Sequence, residues 1–472
     1  MISAAVLLPG FAGTELPEWL ASRLRAGLAG VCLFGENIRS REQLRELTDA
    51  IRAANPRALI AIDEEGGDVT RLYAHEGSPY PGNAVLGRIN DVELTAEVAA
   101  TVARELRSVG VNLNFAPDVD INSNPDNPVI GVRSFGDDPW AVAAHAAAWV
   151  GAHENEGVAV SAKHFPGHGD TAQDSHLALP VVDESLETLR DRELVPFLAA
   201  IAAGASTIMT SHIVLPQLDP SGPATFSSAI LGGLLRDSLQ FEGVIVSDAL
   251  DMTGASGELG IPAAAVRAIA AGCDLLCIGT RNTDEQLESI EAALDAAVVD
   301  GTLPAERLAD AAARVAALAA SVAEPTALGD APHPSCDLDR AIASFHIADV
   351  VVVEPDAKVF TLETVANIAV GASPWGLAAT GADTVPVYDA GAVPEHPGQL
   401  ILVGKDNHRR DWTRELIDRT RSARPSTIVV DMGWPSADRA YADVATFGAS
   451  RFVGQALVTW LESRIAAQGE TQ

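Results

Sequence analysis

The stretch Gly243–Asp248 (GVIVSD) is a short apolar and β-branched run that begins at a glycine and ends in an acid. Its length and composition predict a buried β-strand rather than a helix. Similar runs recur along the first two thirds of the chain, with Gly, Pro, Asp or Asn at most of their ends. They are Ala4–Pro9 (AAVLLP), Gly30–Phe34 (GVCLF), Ala58–Asp63 (ALIAID), Val111–Pro117 (VNLNFAP), Val158–Lys163 (VAVSAK), Thr207–Thr210 (TIMT) and Asp274–Gly279 (DLLCIG).

Amphipathic stretches separate these runs, and their spacing is typical of helices. The clearest are Val92–Val109, Trp140–Glu156, Glu184–Ala203 and Asp284–Ala297. Strand and helix alternating eight times in about 300 residues predict a (β/α)8 barrel of the TIM type. The alternative is a doubly wound open sheet, but no GxGxxG follows the first run, so that fold loses its main support.

A second, smaller domain is expected after the barrel. The helical run Pro304–Val322 closes the first domain (residues 1–323), and a stretch rich in Pro, Ala and Asp follows as a linker (residues 324–337). Residues 338–472 alternate again between strand-like and helical segments, which predicts a smaller α/β domain. Its expected strands are Asp349–Val353, Thr384–Tyr388, Gln399–Val403 and Ser426–Asp431.

The composition excludes several classes of partner. The chain has 64 acidic and 32 basic residues, a net charge of −32, which disfavours binding to nucleic acid and to anionic membranes. No apolar run approaches the ~20 residues of a membrane helix. The N-terminal residues show no basic region or cleavage signature of a secretory signal, so we expect a cytoplasmic protein. The four cysteines have neither zinc-type nor disulfide-framework spacing.

Polar groups stand where several of the predicted strands end. Asp63, Asp118, Lys163–His164, Ser211–His212 and Asp248 each follow or close an apolar run. The carboxyl ends of barrel strands form the floor of the active site in this architecture. Charges at these positions are costly to desolvate unless chemistry or a ligand uses them. The pattern therefore favours an enzyme.

The most specific segment is Ser161–Pro180 (SAKHFPGHGDTAQDSHLALP), which leaves a strand and turns through glycines and a proline. It presents His168, Asp170, Asp174 and His176 on a loop that can reach over a pocket. Histidine and aspartate also bind metals, but the segment has no HExxH or CxxC form and no rigid scaffold. We therefore expect no metal and no other cofactor.

The motif KHFPGHGDTAQDSH (residues 163–176) resembles the signature of glycoside hydrolase family 3, in its NagZ-like β-N-acetylglucosaminidase branch. Asp63–Gly67 (DEEGG) resembles the D-Q-E-G-G strand end of that family, and Val246–Asp248 resembles its nucleophile strand. The resemblance covers about residues 1–325. Three such motifs in the family's order make a chance match improbable.

The resemblance implies a retaining exo-β-N-acetylglucosaminidase in which Asp248 is the nucleophile and forms a covalent glycosyl intermediate. It implies that His176 is the acid/base and that Asp174 orients its imidazole. A histidine suits this role because it titrates near neutral pH. The implied substrate contacts are Asp63, Arg71, Arg133, Lys163 and His164.

The chain departs from the family pattern at three positions. Glu64 and Asp68 stand where the family usually has glutamine and arginine, and Ala249 replaces a second aspartate after the nucleophile. We expect these changes to make the surroundings more negative and to weaken binding of anionic cell-wall fragments.

Three functions follow as hypotheses. The first is hydrolysis of terminal β-linked N-acetylglucosamine (GlcNAc) from cell-wall fragments or chitooligosaccharides, with a small carbohydrate as the binding partner. The second is phosphorolysis by the same residues with inorganic phosphate, because a histidine donor adds no fixed negative charge. The third, of another class, is a non-catalytic sugar sensor. A metal-dependent barrel hydrolase is a further alternative.

Overall fold

The structure is a computed structural model that describes residues 2–171, 173, 179–257, 259–329, 336–391 and 395–469. For residues 467–469 only the backbone is described. Within these residues, eight parallel strands hydrogen-bond in the order β1-β8-β7-β6-β5-β4-β3-β2. Ala29 N, just before β2, donates to Ala4 O, which precedes β1, over 3.1 Å. This hydrogen bond brings the two ends of the strand order together, so the sheet nearly closes. The strands are β1 Leu7–Pro9, β2 Gly30–Leu33, β3 Leu59–Ile62, β4 Leu113–Asn114, β5 Ala159–Phe165, β6 Thr207–Thr210, β7 Val244–Ser247 and β8 Leu275–Gly279.

The predicted barrel is confirmed, with two differences at strand ends. The first strand begins only at Leu7, because Ser3–Val6 forms a 3₁₀ turn. The fourth strand is two residues long, because side chains replace part of its backbone pairing. Asn112 binds Ile60 N and Ala58 O, and Asn114 binds both backbone groups of Glu64.

Helices surround the barrel and cover the apolar sides of the strands. Ser40, Asp91 and Asp138 each cap the start of a long helix by accepting backbone N–H groups. The predicted helix Glu184–Ala203 is broken at Arg192–Glu193 into two. The barrel helices are α1 Glu18–Arg25, α2 Arg41–Ala54, α3 Asn83–Ile89, α4 Val92–Ser108, α5 Pro139–Asn155, α6 Leu186–Asp191, α7 Leu194–Ala202, α8 Thr253–Ser256, α9 Ile261–Ala271, α10 Asp284–Asp300 and α11 Ala305–Ser321, with a π-helical segment at Ala229–Ser238.

Residues 338–472, called the C-terminal unit below, contain a second sheet. Its order is β11-β10-β12-β13-β14-β9, parallel except for β9. The described strands are β9 His346–Ile347, β10 Lys358–Leu362, β11 Val385–Val387, β12 Leu400–Gly404, β13 Ile428–Asp431 and β14 Val444–Ala445. Its helices are α12 Leu338–Ser344, α13 Asp411–Ala423 and α14 Arg451–Gly469.

One strand of this sheet was assigned to the wrong segment. The sequence predicted Asp349–Val353, but this run has no ladder partner in the described structure, and Val350 and Val352 are exposed. The chain pairs instead through Lys358–Leu362, whose last three residues are buried. A lysine and a threonine in that strand had hidden it from an argument based on apolar runs.

The C-terminal unit packs against loops of the barrel. Asp68 accepts a hydrogen bond from Ala449 N at 2.8 Å, and Arg340 pairs with Asp91 at 2.6 Å. Arg409 donates to Pro125 O at 3.0 Å.

The domain boundaries at residues 323 and 338 stay a prediction. In the described part of the chain, no helix is both long and apolar enough for a membrane span.

Close packing of the barrel strands predicts a specific sensitivity to one methyl group. A Cβ added at Gly30, in β2, would stand 1.9 Å from the backbone oxygen of Leu59 in β3. We expect Gly30→Ala to lower the free energy of unfolding by about 1–3 kcal/mol, because a backbone atom has no rotamer to escape into. Urea denaturation measures this.

Gly151→Ala is the matched control, since an added Cβ in the helix α5 meets no atom within 4 Å. Helix propensity alone should then raise the stability of this variant by about 1 kcal/mol. Equal effects of the two substitutions would contradict the close approach of β2 and β3.

Candidate active site

The predicted site residues that the structure describes meet in one place. Asp63 follows β3, Lys163 and His164 belong to β5, and Asp248 follows β7. With Arg71 and Arg133 they line a cavity of about 520 Å³ at the carboxyl ends of the barrel strands. Asp174 and His176 lie outside the described residues. The structure therefore brings the predicted substrate contacts and the predicted nucleophile to a single cavity.

A buried network of opposite charges forms the floor of this cavity. Lys163 Nζ lies 2.8 Å from Asp63 and 2.7 Å from Glu65. Arg133 binds Glu65 through two nitrogens at 2.8 and 3.0 Å, and lies 3.3 Å from Asp118. Burial alone would raise the pKa of Glu65, but the two cations outweigh it and hold that pKa below its usual range.

A second group joins the network behind His164. The imidazole Nδ1 lies 2.7 Å from Asp120 Oδ2, and Asp120 Oδ1 accepts a hydrogen bond from His168 N at 2.7 Å. Burial would raise the pKa of Asp120, but His164 and these hydrogen bonds keep it lowered. Burial and the neighbouring Asp120 raise the pKa of Asp118. Asp120 therefore fixes the orientation of His164 and the start of the loop after β5.

The same residues satisfy one requirement of a metal site. Asp118, Asp120 and His164 each offer a ligand atom, and these atoms lie within 4.8 Å of one another. The guanidinium of Arg133, 3.3 Å from Asp118 Oδ2, already supplies a positive charge there. The arrangement is thus explained by a protein cation, and we assign no metal to it.

Arg71 connects the cavity to the C-terminal unit. Its guanidinium lies 3.8 Å from Asp63 Oδ2 and donates to the carbonyl oxygens of Ala369 (2.8 Å) and Val370 (3.3 Å). Glu64 fixes the backbone of Arg71, because its Oε2 accepts hydrogen bonds from the N–H groups of Arg71 and Leu72. Arg71 is therefore fixed on both sides.

Asp248 lies beside a small neighbour. Its Oδ1 accepts a hydrogen bond from the N–H of Ala249 at 2.7 Å.

His168 lines the same cavity, and burial lowers its pKa to about 4, although Asp120 and Asp248 act in the opposite direction. His168 is therefore neutral near pH 7. Its Nδ1 lies 2.9 Å from Thr171 Oγ1, which fits a role in ordering the loop.

Several cavity residues were missed or left undecided by the sequence. Glu65 stands inside the motif DEEGG, so its place next to a strand end could have marked it. Asp120 lies behind His164 and acts through its contact with that imidazole, which the sequence does not show. The segment Ile368–Ser373 also lines the cavity. It carries no charge and is far from every motif, so nothing in the sequence indicated it.

A cavity at the carboxyl ends of parallel barrel strands, with buried ion pairs on its floor, defines an enzyme of the (β/α)8 class. Residues 12–318 match the family described as "Glycosyl hydrolase family 3 N terminal domain". This match covers well over half of the chain. The chain belongs to glycosyl hydrolase family 3, as the sequence motifs had indicated.

Similar proteins carry consistent names. "Beta-hexosaminidase A" of Pseudoalteromonas piscicida is 37% identical over 366 residues, which are 70% of this chain and 61% of that protein. "Beta-hexosaminidase" of Xylella fastidiosa (strain M23) is 42% identical over 285 residues, which are 58% of this chain and 83% of that protein. The chain thus spans less than two thirds of the first relative.

A solved structure resembles nearly the whole chain. It is a glycoside hydrolase family 3 beta-N-acetylglucosaminidase from Paenibacillus sp. str. FPU-7, with a TM-score of 0.86 and 30% identity. The likeness covers 98% of this chain and 96% of that one. The arrangement of barrel and C-terminal unit is therefore shared with a known member of the family.

The departure at Glu64 generates a prediction about stability. Burial raises the pKa of Glu64 from 4.5 to about 7, although Leu72 N, Arg71 N and Thr70 partly offset it. The folded chain then binds this proton more tightly than the unfolded chain. Protonation of Glu64 therefore stabilises the folded chain fully below about pH 4.5, and this stabilisation is lost as the pH rises through about 7.

We expect Glu64→Gln to remove this dependence. From pH 5 to pH 8, the free energy of unfolding of the variant should gain about 2.5 kcal/mol relative to the parent, measured by urea denaturation at each pH. Taking the difference between two pH values cancels any constant cost of the substitution. Parallel pH profiles of the two proteins would contradict the raised pKa.

Proposed function

We propose that the chain is a retaining exo-β-N-acetylglucosaminidase that needs no cofactor and acts on terminal β-linked GlcNAc of small carbohydrates. The observation that carries this proposal is the cavity that Asp248 shares with the Asp63–Lys163 pair. The names of the relatives support the substrate, since they are hexosaminidases and a β-N-acetylglucosaminidase. We also propose a cytoplasmic location, as the sequence suggested.

The floor of the cavity supports an exo mode of action. Among the described residues, Lys163 and Arg133 are buried in ion pairs and form the floor of the cavity, which favours binding of a terminal sugar over passage of a sugar chain. Asp63 remains partly accessible and can accept hydrogen bonds from sugar hydroxyls, while Lys163 and His164 line the same cavity beside it.

The first chemical step is an attack by Asp248. Its carboxylate forms a bond to the anomeric carbon while the bond from that carbon to the leaving oxygen breaks. His176, oriented by Asp174, gives the leaving oxygen a proton. The product is a glycosyl ester of Asp248, with the anomeric configuration inverted once.

The second step reverses the role of the histidine. A water molecule attacks the anomeric carbon, the ester bond to Asp248 breaks, and His176 takes the proton from the water. The second inversion restores the β configuration. Assignment of His176 and Asp174 depends on the sequence motif, because both residues lie outside the described part of the chain.

Phosphorolysis by the same residues is the alternative, but the relatives named above do not favour it, because they are two hexosaminidases and a β-N-acetylglucosaminidase. A sugar sensor without turnover is disfavoured by the presence of Asp174, His176 and Asp248 together. The activity tests below separate all three.

Asp248→Asn should lower kcat/KM for p-nitrophenyl β-GlcNAc by about 10³-fold or more, because an amide does not form the glycosyl ester. The parent should release β-GlcNAc first, as followed by proton NMR of the anomeric centre. Thermal melting of the variant controls for folding. Release of α-GlcNAc by the parent would contradict retention, and GlcNAc-1-phosphate formed at millimolar phosphate would favour phosphorolysis.

The loss of activity caused by His176→Ala should depend on the basicity of the leaving group. We expect a loss of about 10²-fold or more on N,N′-diacetylchitobiose, because the sugar alkoxide must be protonated as it leaves. An activated aryl glycoside needs little protonation and should lose less than about tenfold in its rate of glycosyl transfer to Asp248, measured by the burst of phenol. Equal losses on both substrates would remove His176 from the acid role.

A further inference from the structure

The mouth of the cavity is built partly by the C-terminal unit. The segment Ile368–Ser373 (IAVGAS), called the mouth segment below, lines the same cavity as Asp248. Ile368 is 56% exposed at this end, whereas Lys163 on the floor is 2% exposed. The barrel side chains Phe34, Ala74 and Met252 line the cavity as well. The cavity therefore runs from a charged, buried floor to an apolar, open mouth.

Arg71 holds the mouth segment in place. The two hydrogen bonds from its guanidinium to Ala369 O and Val370 O fix the backbone of the segment next to Asp63. Arg71 thus lies beside Asp63, the proposed sugar contact, and also positions the mouth segment. A side chain carried by this segment keeps a defined distance from a sugar bound on the floor.

The leaving group of an exo-acting enzyme must occupy this mouth. The terminal sugar fills the closed end, so the rest of the substrate points towards the solvent. The uncharged side chains of the mouth segment then contact the first sugar of the leaving group. The carbon-bound hydrogens on the face of a pyranose ring are apolar and pack well on such a surface.

The charges of the cavity disfavour an anionic leaving group. Among the described residues that line it, the lysine and both arginines are committed to carboxylates or carbonyl groups, namely Lys163, Arg133 and Arg71. Arg281, beside the lining, is already paired with Glu36 at 2.8 Å, and Asp251 adds negative charge to the lining. A carboxylate on the leaving sugar would meet these acids and lose water without gaining a cation.

A further cation, Lys405, is separated from the mouth by Val370. Lys405 lines a neighbouring pocket of about 240 Å³ together with Asp68 and Asp406, on the far side of Val370. Its ammonium stands over the ring of Trp375 at 4.8 Å. Lys405 therefore has negative and aromatic neighbours of its own in that pocket.

We infer that the mouth segment Ile368–Ser373 is the leaving-group subsite and that it selects uncharged sugars over sugars that carry a carboxylate. This inference rests on the proposed function. The Xylella relative supports a role in selection rather than in chemistry, because its match leaves only 17% of its length for anything comparable to the C-terminal unit. The reaction is thus encoded by the barrel, and the mouth segment adds selectivity in this chain.

The test compares three substrates that share a β-GlcNAc group. N,N′-diacetylchitobiose has an uncharged leaving sugar, GlcNAc-β-1,4-MurNAc has a leaving sugar with a carboxylate, and β-GlcNAc fluoride has almost no leaving group to contact. We expect the parent to prefer the uncharged disaccharide over the anionic one by about tenfold or more in kcat/KM. A parent that cleaves the two disaccharides equally, or prefers the anionic one, overturns the inference.

Two variants locate the effect. Ile368→Ala should lower the ratio of kcat/KM for chitobiose to that for the fluoride by roughly tenfold, because the apolar contact is lost only with the disaccharide. Ile368→Lys should raise kcat/KM for the anionic relative to the uncharged disaccharide by about threefold to fivefold. Val365→Ala is the matched control, since Val365 is exposed shortly before the mouth segment but lines the neighbouring pocket. Equal ratios in Ile368→Ala and Val365→Ala overturn the inference.

Binding to Asp248→Asn keeps the two proposals separate. Calorimetry with this variant should show tighter binding of chitobiose than of GlcNAc-β-1,4-MurNAc, without need for turnover. If the parent cleaves none of the three substrates, the proposed function fails. If the fluoride is cleaved while both disaccharides bind equally, the function stands and the assignment of the mouth segment fails.

Discussion

Desolvation of charge is the constraint on which the site depends. Lys163 and Arg133 have lost almost all contact with water, and each is balanced by carboxylates from other strand ends. Such a network gives little net stability compared with an apolar core, but removing one member leaves an uncompensated buried charge, at a cost of about 3–5 kcal/mol. The chain therefore carries a costly arrangement whose benefit is a rigid, preorganised set of donors and acceptors.

The network explains features of the surrounding fold. Glu65 receives both cations, so the loop after β3 must stay close to β5. Glu64, one residue earlier, turns the other way and holds the backbone of Arg71. Asn114 in the short strand β4 binds both backbone groups of Glu64 and so fixes the point where the two acidic side chains diverge. Neighbouring residues in one motif thus serve the cavity floor and its rim separately.

The sequence predicted what depends on local pattern and missed what depends on assembly. Apolar runs ending in polar groups located the barrel strands and the places of Asp63, Lys163 and Asp248. The strand Lys358–Leu362 was missed because its burial comes from neighbouring strands and not from its composition. Glu64 and Asp68 were expected to make the cavity more negative. In the structure Glu64 turns to backbone N–H groups and Asp68 binds Ala449 N, so only the contacts reveal their roles.

The division of labour between the two units follows from their chemistry. Cleavage of a glycosidic bond needs charges at fixed positions, and the buried floor of a barrel provides them where strand ends converge. Discrimination between leaving groups needs a surface that can change without disturbing those charges. A segment such as Ile368–Ser373, held only through its backbone by Arg71, meets this condition, because its side chains are free to vary while its carbonyl groups keep their position. Selectivity can therefore evolve at the mouth of the cavity independently of the reaction on its floor.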